Sequence, residues 1–149
     1  RYTRHLNAMK FLIVDDDPVS RRLLRQILAS VENGCEIAEA SNGADASAAL
    51  EQPGHGFDVV FLDISMPDAD GIDLLKRYRE NPALQSLPIV LCTSANDRNT
   101  VTKAVAAGAR CLWLQLGIVG IEAARIALAG SLAVVMDRCS IGVHARLLG

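Results

Sequence analysis

The sequence predicts an open α/β fold, a doubly wound parallel sheet with helices on both faces. Three observations predict it. Short apolar runs of strand length alternate with amphipathic stretches of helix length five times along the chain, which is the pattern of repeated βα units. The first of these runs, Phe11 to Val14, is apolar at every position, as a strand covered on both faces is. Acidic or hydroxyl residues follow the first, third and fourth runs, where ligands collect in sheets of this kind.

The first strand, Phe11 to Val14, leads through Asp15-Asp16-Asp17-Pro18 into Val19, Leu23, Leu24, Ile27 and Leu28 at helical spacing. Asp17 is read as the N-cap and Pro18 as the first helical turn. A turn at Asn33-Gly34 precedes a second strand near Cys35 to Ala38, and an alanine-rich helix runs from Gly43 to Glu51 until Gln52-Pro53-Gly54 stops it. The third strand, Asp58 to Leu62, ends at Asp63. A loop through Met66-Pro67-Asp68 and Asp70-Gly71 then opens a helix from Ile72 to Glu80, closed by Asn81-Pro82. Pro88 to Cys92 is the fourth strand, ending on Thr93-Ser94-Ala95, and its helix, Arg98 to Ala107, is capped by Gly108. Cys111 to Leu114 is the fifth strand and Ile118 to Ala129 the last helix.

At 149 residues and 50% hydrophobic, the chain is sized for one domain with a core that needs no disulfide or structural metal. A net charge of -2 disfavours direct nucleic-acid binding and favours a protein partner or a small ion. Cys35, Cys92, Cys111 and Cys139 form no CxxC pair, which suits buried thiols and a cytoplasmic location. The stretch from Arg1 to Lys10 lacks a secretory apolar region. Cys111 to Met136 approaches the length of a membrane span, but Gln115, Glu122, Arg125 and three glycines interrupt it, so no span is expected. His5, His55 and His144 lie far apart and read as surface residues.

Asp15 and Asp16 end the first strand, Asp63 the third and Thr93 the fourth. If those strands are neighbours, three carboxylates and a hydroxyl converge. Crowded carboxylates repel unless a cation sits among them, and an all-oxygen cluster suits a hard ion such as Mg²⁺. Beside such an ion a carboxylate like Asp63 can attack phosphorus and form an acyl phosphate. The run Asp15-Asp16-Asp17 alone reads first as a solvated turn with a helix cap; Asp63 at another strand's end reverses that reading.

The segments FLIVDDDP, DVVFLDISMPDADG, PIVLCTSA and AVAAGARCLWL resemble, in order and spacing, the successive motifs of receiver domains from two-component signalling. The resemblance covers roughly residues 9 to 130. It implies a flavodoxin-like (βα)5 fold with strand order 2-1-3-4-5, an N-terminal extension over 1–8, a receiver domain over 9–130 and a C-terminal tail over 131–149. It implies Asp63 as phosphoryl acceptor, with Mg²⁺ held by Asp15, Asp16, Asp63 and the backbone carbonyl of Ser65, and Thr93 bonding the phosphoryl oxygen. Small Ser94 suits access to the acceptor. The implied partners are a histidine kinase or a histidine phosphotransfer protein, and a downstream protein target.

The chain departs from that family after the fifth strand, where Gln115 and Leu116 stand in place of the usual Lys-Pro pair. Glutamine offers a hydrogen bond without a charge, and a cis bond before Leu116 would cost about 3 kcal/mol, so a rebuilt loop is expected. Leu112 stands where the family often carries a switching aromatic. Arg110, at the start of the fifth strand, is a poor substitute cation because it falls at the far end of the sheet from Asp63. These departures favour a second reading, a degenerate receiver acting as a constitutive protein-interaction module. A third, an aspartyl-phosphate phosphatase, needs an acid two residues after the nucleophile, and position 65 is serine. The tail Ser131 to Gly149 is expected to be too short for an output domain, and Val134-Val135-Met136 is left open between helix packing and a homodimer surface.

Overall fold

The computed structural model describes residues 8–93, 98–114 and 133–136. In chain order the elements are β1 (Lys10–Val14), α1 (Pro18–Val31), β2 (Glu36–Ala40), α2 (Gly43–Leu50), β3 (Val59–Asp63), α3 (Gly71–Glu80), β4 (Ile89–Thr93), α4 (Arg98–Ala106), β5 (Cys111–Leu114) and β6 (Ala133–Met136). All strand pairs are parallel, in the order β2-β1-β3-β4-β5-β6. The expected doubly wound sheet with order 2-1-3-4-5 is therefore present, and one further strand lies beside β5.

Alternation along each strand divides the apolar residues between two layers. Leu12, Val14, Val60, Leu62, Leu91 and Leu112 pack with Ala46 and Leu50 of α2, Ile72, Leu75 and Tyr78 of α3, and Val101 and Ala104 of α4. Phe11, Ile13, Phe61 and Cys92 pack with Leu24 and Leu28 of α1. Edge-to-face contacts at 6.0 Å between Phe11 and Phe61 and at 6.1 Å between Phe61 and Trp113 run across this second layer.

Local chemistry sets the helix ends. The carboxylates of Asp17 and Asp70 accept from the N–H groups of Val19 and Ile72, and Asn42 accepts from Asp45, so three helices begin on side-chain caps. Asn81, extended before Pro82, ends α3. Gly108, at φ 82°, ends α4: its N–H bonds the carbonyl of Val105 while Ala109 bonds that of Ala104, the paired closure a left-handed residue permits. Arg79 donates to the carbonyls of Leu84, Gln85 and Leu87, pinning the turn between α3 and β4.

Two sequence expectations are corrected. The second strand begins at Glu36 because the N–H of Cys35 bonds the carbonyl of Glu32 and is spent in the preceding turn. Val134-Val135-Met136, left between helix packing and a dimer surface, is a strand paired in register with Leu112, Trp113 and Leu114. A four-residue apolar run has no periodicity to separate helix from strand, and here a neighbouring strand satisfies its backbone. Gln115, Leu116, Ser94 and the helix expected over 118–129 lie outside the described residues. Among the described residues no helix is long and apolar enough to cross a membrane.

Between α2 and α3 the Ser47 hydroxyl meets the Tyr78 hydroxyl at 2.8 Å, with Tyr78 1% exposed. Tyr78→Phe leaves the buried Ser47 oxygen without that partner, and a loss of about 1–2 kcal/mol is expected. Urea unfolding of the metal-free chain measures it; a midpoint unchanged from the parent would show that the pair contributes nothing.

Candidate functional site: an acidic cluster at the carboxyl end of the sheet

The register Val14↔Leu62 between β1 and β3 brings the next residue along each chain abreast. Asp15 lies next to Val14, and Asp63 is the last residue of β3. One carboxylate oxygen each from Asp15, Asp16 and Asp63 comes together, all within 4.8 Å of one another. The cluster contains only oxygen donors. Asp15 is 8% exposed, Asp63 is half-buried and Asp16 faces solvent.

Burial and the neighbouring carboxylate of Asp15 push the Asp63 carboxyl up from an ordinary 3.8 to about 7, against the hydrogen bond its Oδ1 accepts from the N–H of Ser65 at 3.2 Å. Asp15 is raised too, chiefly by burial, and is held back mainly by the N–H of Asp17 on its Oδ1 at 2.9 Å. Both shifts have the sign expected of carboxylates forced together with too little compensating charge. The carboxylate of Asp17 stays outside the trio: it caps α1 and accepts from the Ser20 hydroxyl at 2.8 Å, which lowers its carboxyl.

The loop after β3 is built tightly around Asp63. Gly71 N–H bonds the carbonyl of Ile64 at 2.9 Å, and a side chain at Gly71 would overlap the main-chain oxygen of Asp63. Only glycine lets the start of α3 pass this close to the strand end. Asp68 accepts from the N–H of Gly43 at 2.9 Å, joining the same loop to the first turn of α2, where an added Cβ at Gly43 would come within 2.8 Å of the Ala69 side chain. Ser65 pairs with Asp70 in an isolated bridge.

Thr93, 2% exposed, ends β4 one residue beyond Cys92, the register partner of Asp63. Burial pushes the Cys92 thiol up, which makes it a packing group rather than a nucleophile. Arg110 precedes β5 at the amino end of the sheet, where its charge acts on Arg79; it is no substitute cation for the cluster. Gln115 is outside the described residues. Sequence reasoning placed Gly71 in the loop after the third strand but missed the roles of Asp68 and of Arg21, whose Nη1 donates to the Asp15 carbonyl at 2.6 Å. The contact of Asp68 with Gly43 and that of Arg21 with Glu39 join residues far apart in the chain and leave no local signal.

A family model described as the response regulator receiver domain matches residues 11–112. The chain belongs to that family. The chemotaxis protein CheY of Bacillus subtilis (strain 168) is 38% identical over 104 residues, 69% of this chain and 82% of that protein. Hybrid signal transduction histidine kinase L of Dictyostelium discoideum is 40% identical over 90 residues, which are 58% of this chain and only 5% of the kinase. Among solved structures, the Mn²⁺-bound form of response regulator Rcp1 superposes with a TM-score of 0.66 at 22% identity, covering 79% of this chain and 88% of Rcp1. As a receiver domain, the chain is a module of two-component signalling, and its acidic cluster lies at the strand ends where the fold collects ligands.

The raised carboxyls give the metal-free receiver a pH dependence with a definite sign. A group that binds its proton more tightly when folded contributes stability that is full below its unfolded value and is lost as pH rises through the folded one. For Asp63 that window runs from 3.8 to about 7. The melting midpoint of the chain in chelator is expected to fall as pH rises from about 4 to about 7 and to level off above that, and Asp63→Asn to flatten the fall. Parallel curves for parent and variant would show that Asp63 carries no such penalty.

Proposed function

We propose that this receiver domain accepts a phosphoryl group on Asp63 from a histidine kinase or a histidine phosphotransfer protein and passes the change on to a downstream protein. The observation that carries the reading is the meeting of three carboxylate oxygens within 4.8 Å, with Asp63 the member pushed up to about 7. A cluster of oxygens alone, crowded enough to hold protons against its own repulsion, fits a hard divalent cation. Mg²⁺ is the ion proposed, held by Asp15, Asp16, Asp63 and the main-chain carbonyl of Ser65. That Rcp1, which shares the fold, has a Mn²⁺-bound form supports a divalent ion of this class.

When bound, the ion would supply charge neutralisation for the transferring group's oxygens. The remaining work falls to the chain. A free oxygen of deprotonated Asp63 attacks phosphorus as the bond from phosphorus to the donor's imidazole nitrogen breaks, and the electron pair of that bond leaves with the imidazole. The Ser65 N–H on Asp63 Oδ1 fixes the carboxylate's rotation, leaving its second oxygen to react. Thr93 donates its hydroxyl to a phosphoryl oxygen from the end of β4. The relatives whose names carry signalling roles support a kinase or phosphotransfer donor.

A second reading, a degenerate receiver that binds its partner constitutively, is favoured by Gln115 in place of the family's lysine. Glutamine can bond a phosphoryl oxygen but brings no charge to draw the loops inward. Incubation with Mg²⁺ and acetyl phosphate, read by intact mass, separates the two. The expected result is a single phosphoryl adduct that Asp63→Asn and removal of Mg²⁺ each abolish. Calorimetric Mg²⁺ binding with no adduct would sink the acceptor reading and leave the constitutive module.

A further inference from the structure

Asp15 is held at more points than a metal ligand needs for its own fold. Its N–H bonds the Ala40 carbonyl of β2 at 3.1 Å, its Oδ1 accepts from Asp17, and its carbonyl accepts from Arg21 Nη1 at 2.6 Å. Arg21 is itself held. Its Nε donates to Glu39 Oε1 at 3.1 Å, and Glu39 Oε2 takes the Nε and Nη2 of Arg25 at 3.0 and 2.8 Å. Arg25, one helical turn further along α1, also donates from Nη2 to the Ile37 carbonyl at 3.1 Å. The result is a continuous chain of charge-assisted bonds from α1 and β2 to the main chain of Asp15. The Arg21 side chain is only 18% exposed, against 33% for Glu39 and 43% for Arg25, so the inner end of the chain is the part shielded from water.

We propose that Arg21 is a positioning residue for the metal pair: steered by Glu39 and Arg25, it fixes the peptide between Asp15 and Asp16 so that both carboxylates face one cation. The inference rests on the metal-dependent acceptor reading above and adds to it a residue outside the ligand set. The peptide carbonyl of Asp15 is the hinge about which the following residue, Asp16, would swing. Asp16 is the exposed member of the trio and shows no side-chain hydrogen bond among the described residues, so its aim depends on that peptide plane.

Charge and position act in opposite directions, and this makes the proposal decidable. The Arg21 guanidinium lies close enough to draw the Asp15 carboxyl down, and a fixed cation at that range repels a divalent ion. If its charge were all that mattered, removing it would tighten Mg²⁺ binding. If Arg21 aims the ligands, removing it weakens binding by the roughly tenfold typical of a lost outer-shell partner.

The test is calorimetric titration of Mg²⁺ into the full chain and four variants, Arg21→Met, Arg21→Lys, Glu39→Gln and the Arg21→Met/Glu39→Gln pair. Each is measured at a temperature where its metal-free melting curve shows it folded. Arg21→Met is expected to bind about tenfold more weakly. Arg21→Lys keeps the charge but cannot span Glu39 and the Asp15 carbonyl with one planar fork, so it is expected to remain weakened. Glu39→Gln should weaken binding less, and the double variant no more than Arg21→Met alone, because Glu39 acts through Arg21. Unchanged or tighter binding in Arg21→Met overturns the proposal; should that variant fail to fold, unchanged binding in Glu39→Gln and Arg21→Lys does so. A parent chain that binds no Mg²⁺ would overturn the metal reading and this assignment with it.

Discussion

The parallel ladder between β1 and β3 is the constraint on which the acidic cluster depends. The two strands are separated in the chain by a whole βα unit, yet they lie side by side with Val14 opposite Leu62. A slip of one residue would exchange the layers into which Leu12, Val14, Val60 and Leu62 point and would bury nothing well. The apolar layers therefore fix the register, and the register fixes which carboxylates meet. Electrostatics alone would drive Asp15, Asp16 and Asp63 apart. They stay together because the cost of crowding them is small beside the apolar area that the correct ladder removes from water.

Around that constraint the loops leave little slack. The segment after β3 is tied to the strand end through Gly71 and Ile64, to α2 through Asp68 and Gly43, and to its own far end through the Ser65 and Asp70 bridge. On the other side, the first turn of α1 is tied to the cluster by Asp17 and Arg21. A change of charge at Asp63 thus meets groups connected directly to three helices, which is how a local electrostatic event in a packed domain reaches a distant surface.

Most of the fold was legible in the sequence because these strands are covered on both faces, and runs such as FLIV and VVFL need no partner to be recognised. The caps at Asp17 and Gly108 were legible for local reasons, a carboxylate before proline and a glycine after an alanine-rich turn. The acidic trio could be read because Asp15 and Asp63 each directly follow an apolar run and Asp16 adjoins Asp15. The Arg25, Glu39 and Arg21 chain could not, since its partners are brought together by packing of α1 on β2 and obey no short-range spacing. The sixth strand escaped for a related reason: AVVM is apolar and β-branched enough for a strand, but without alternation or a turn signal beside it only the edge of β5 decides its state.

That sixth strand changes where the chain departs from the sheet. A polypeptide leaving a helix packed beneath a parallel sheet sets out from the sheet's amino end, on the opposite side from Asp63. Because β6 runs parallel to β5, the backbone at Met136 points out of the carboxyl end, on the rim that carries the acidic residues. Three strand spacings separate β3 from β6 in the observed order, a lateral offset of roughly 14 Å. At Met136 the chain therefore sets out from the rim that carries the acidic residues rather than from the amino end of the sheet.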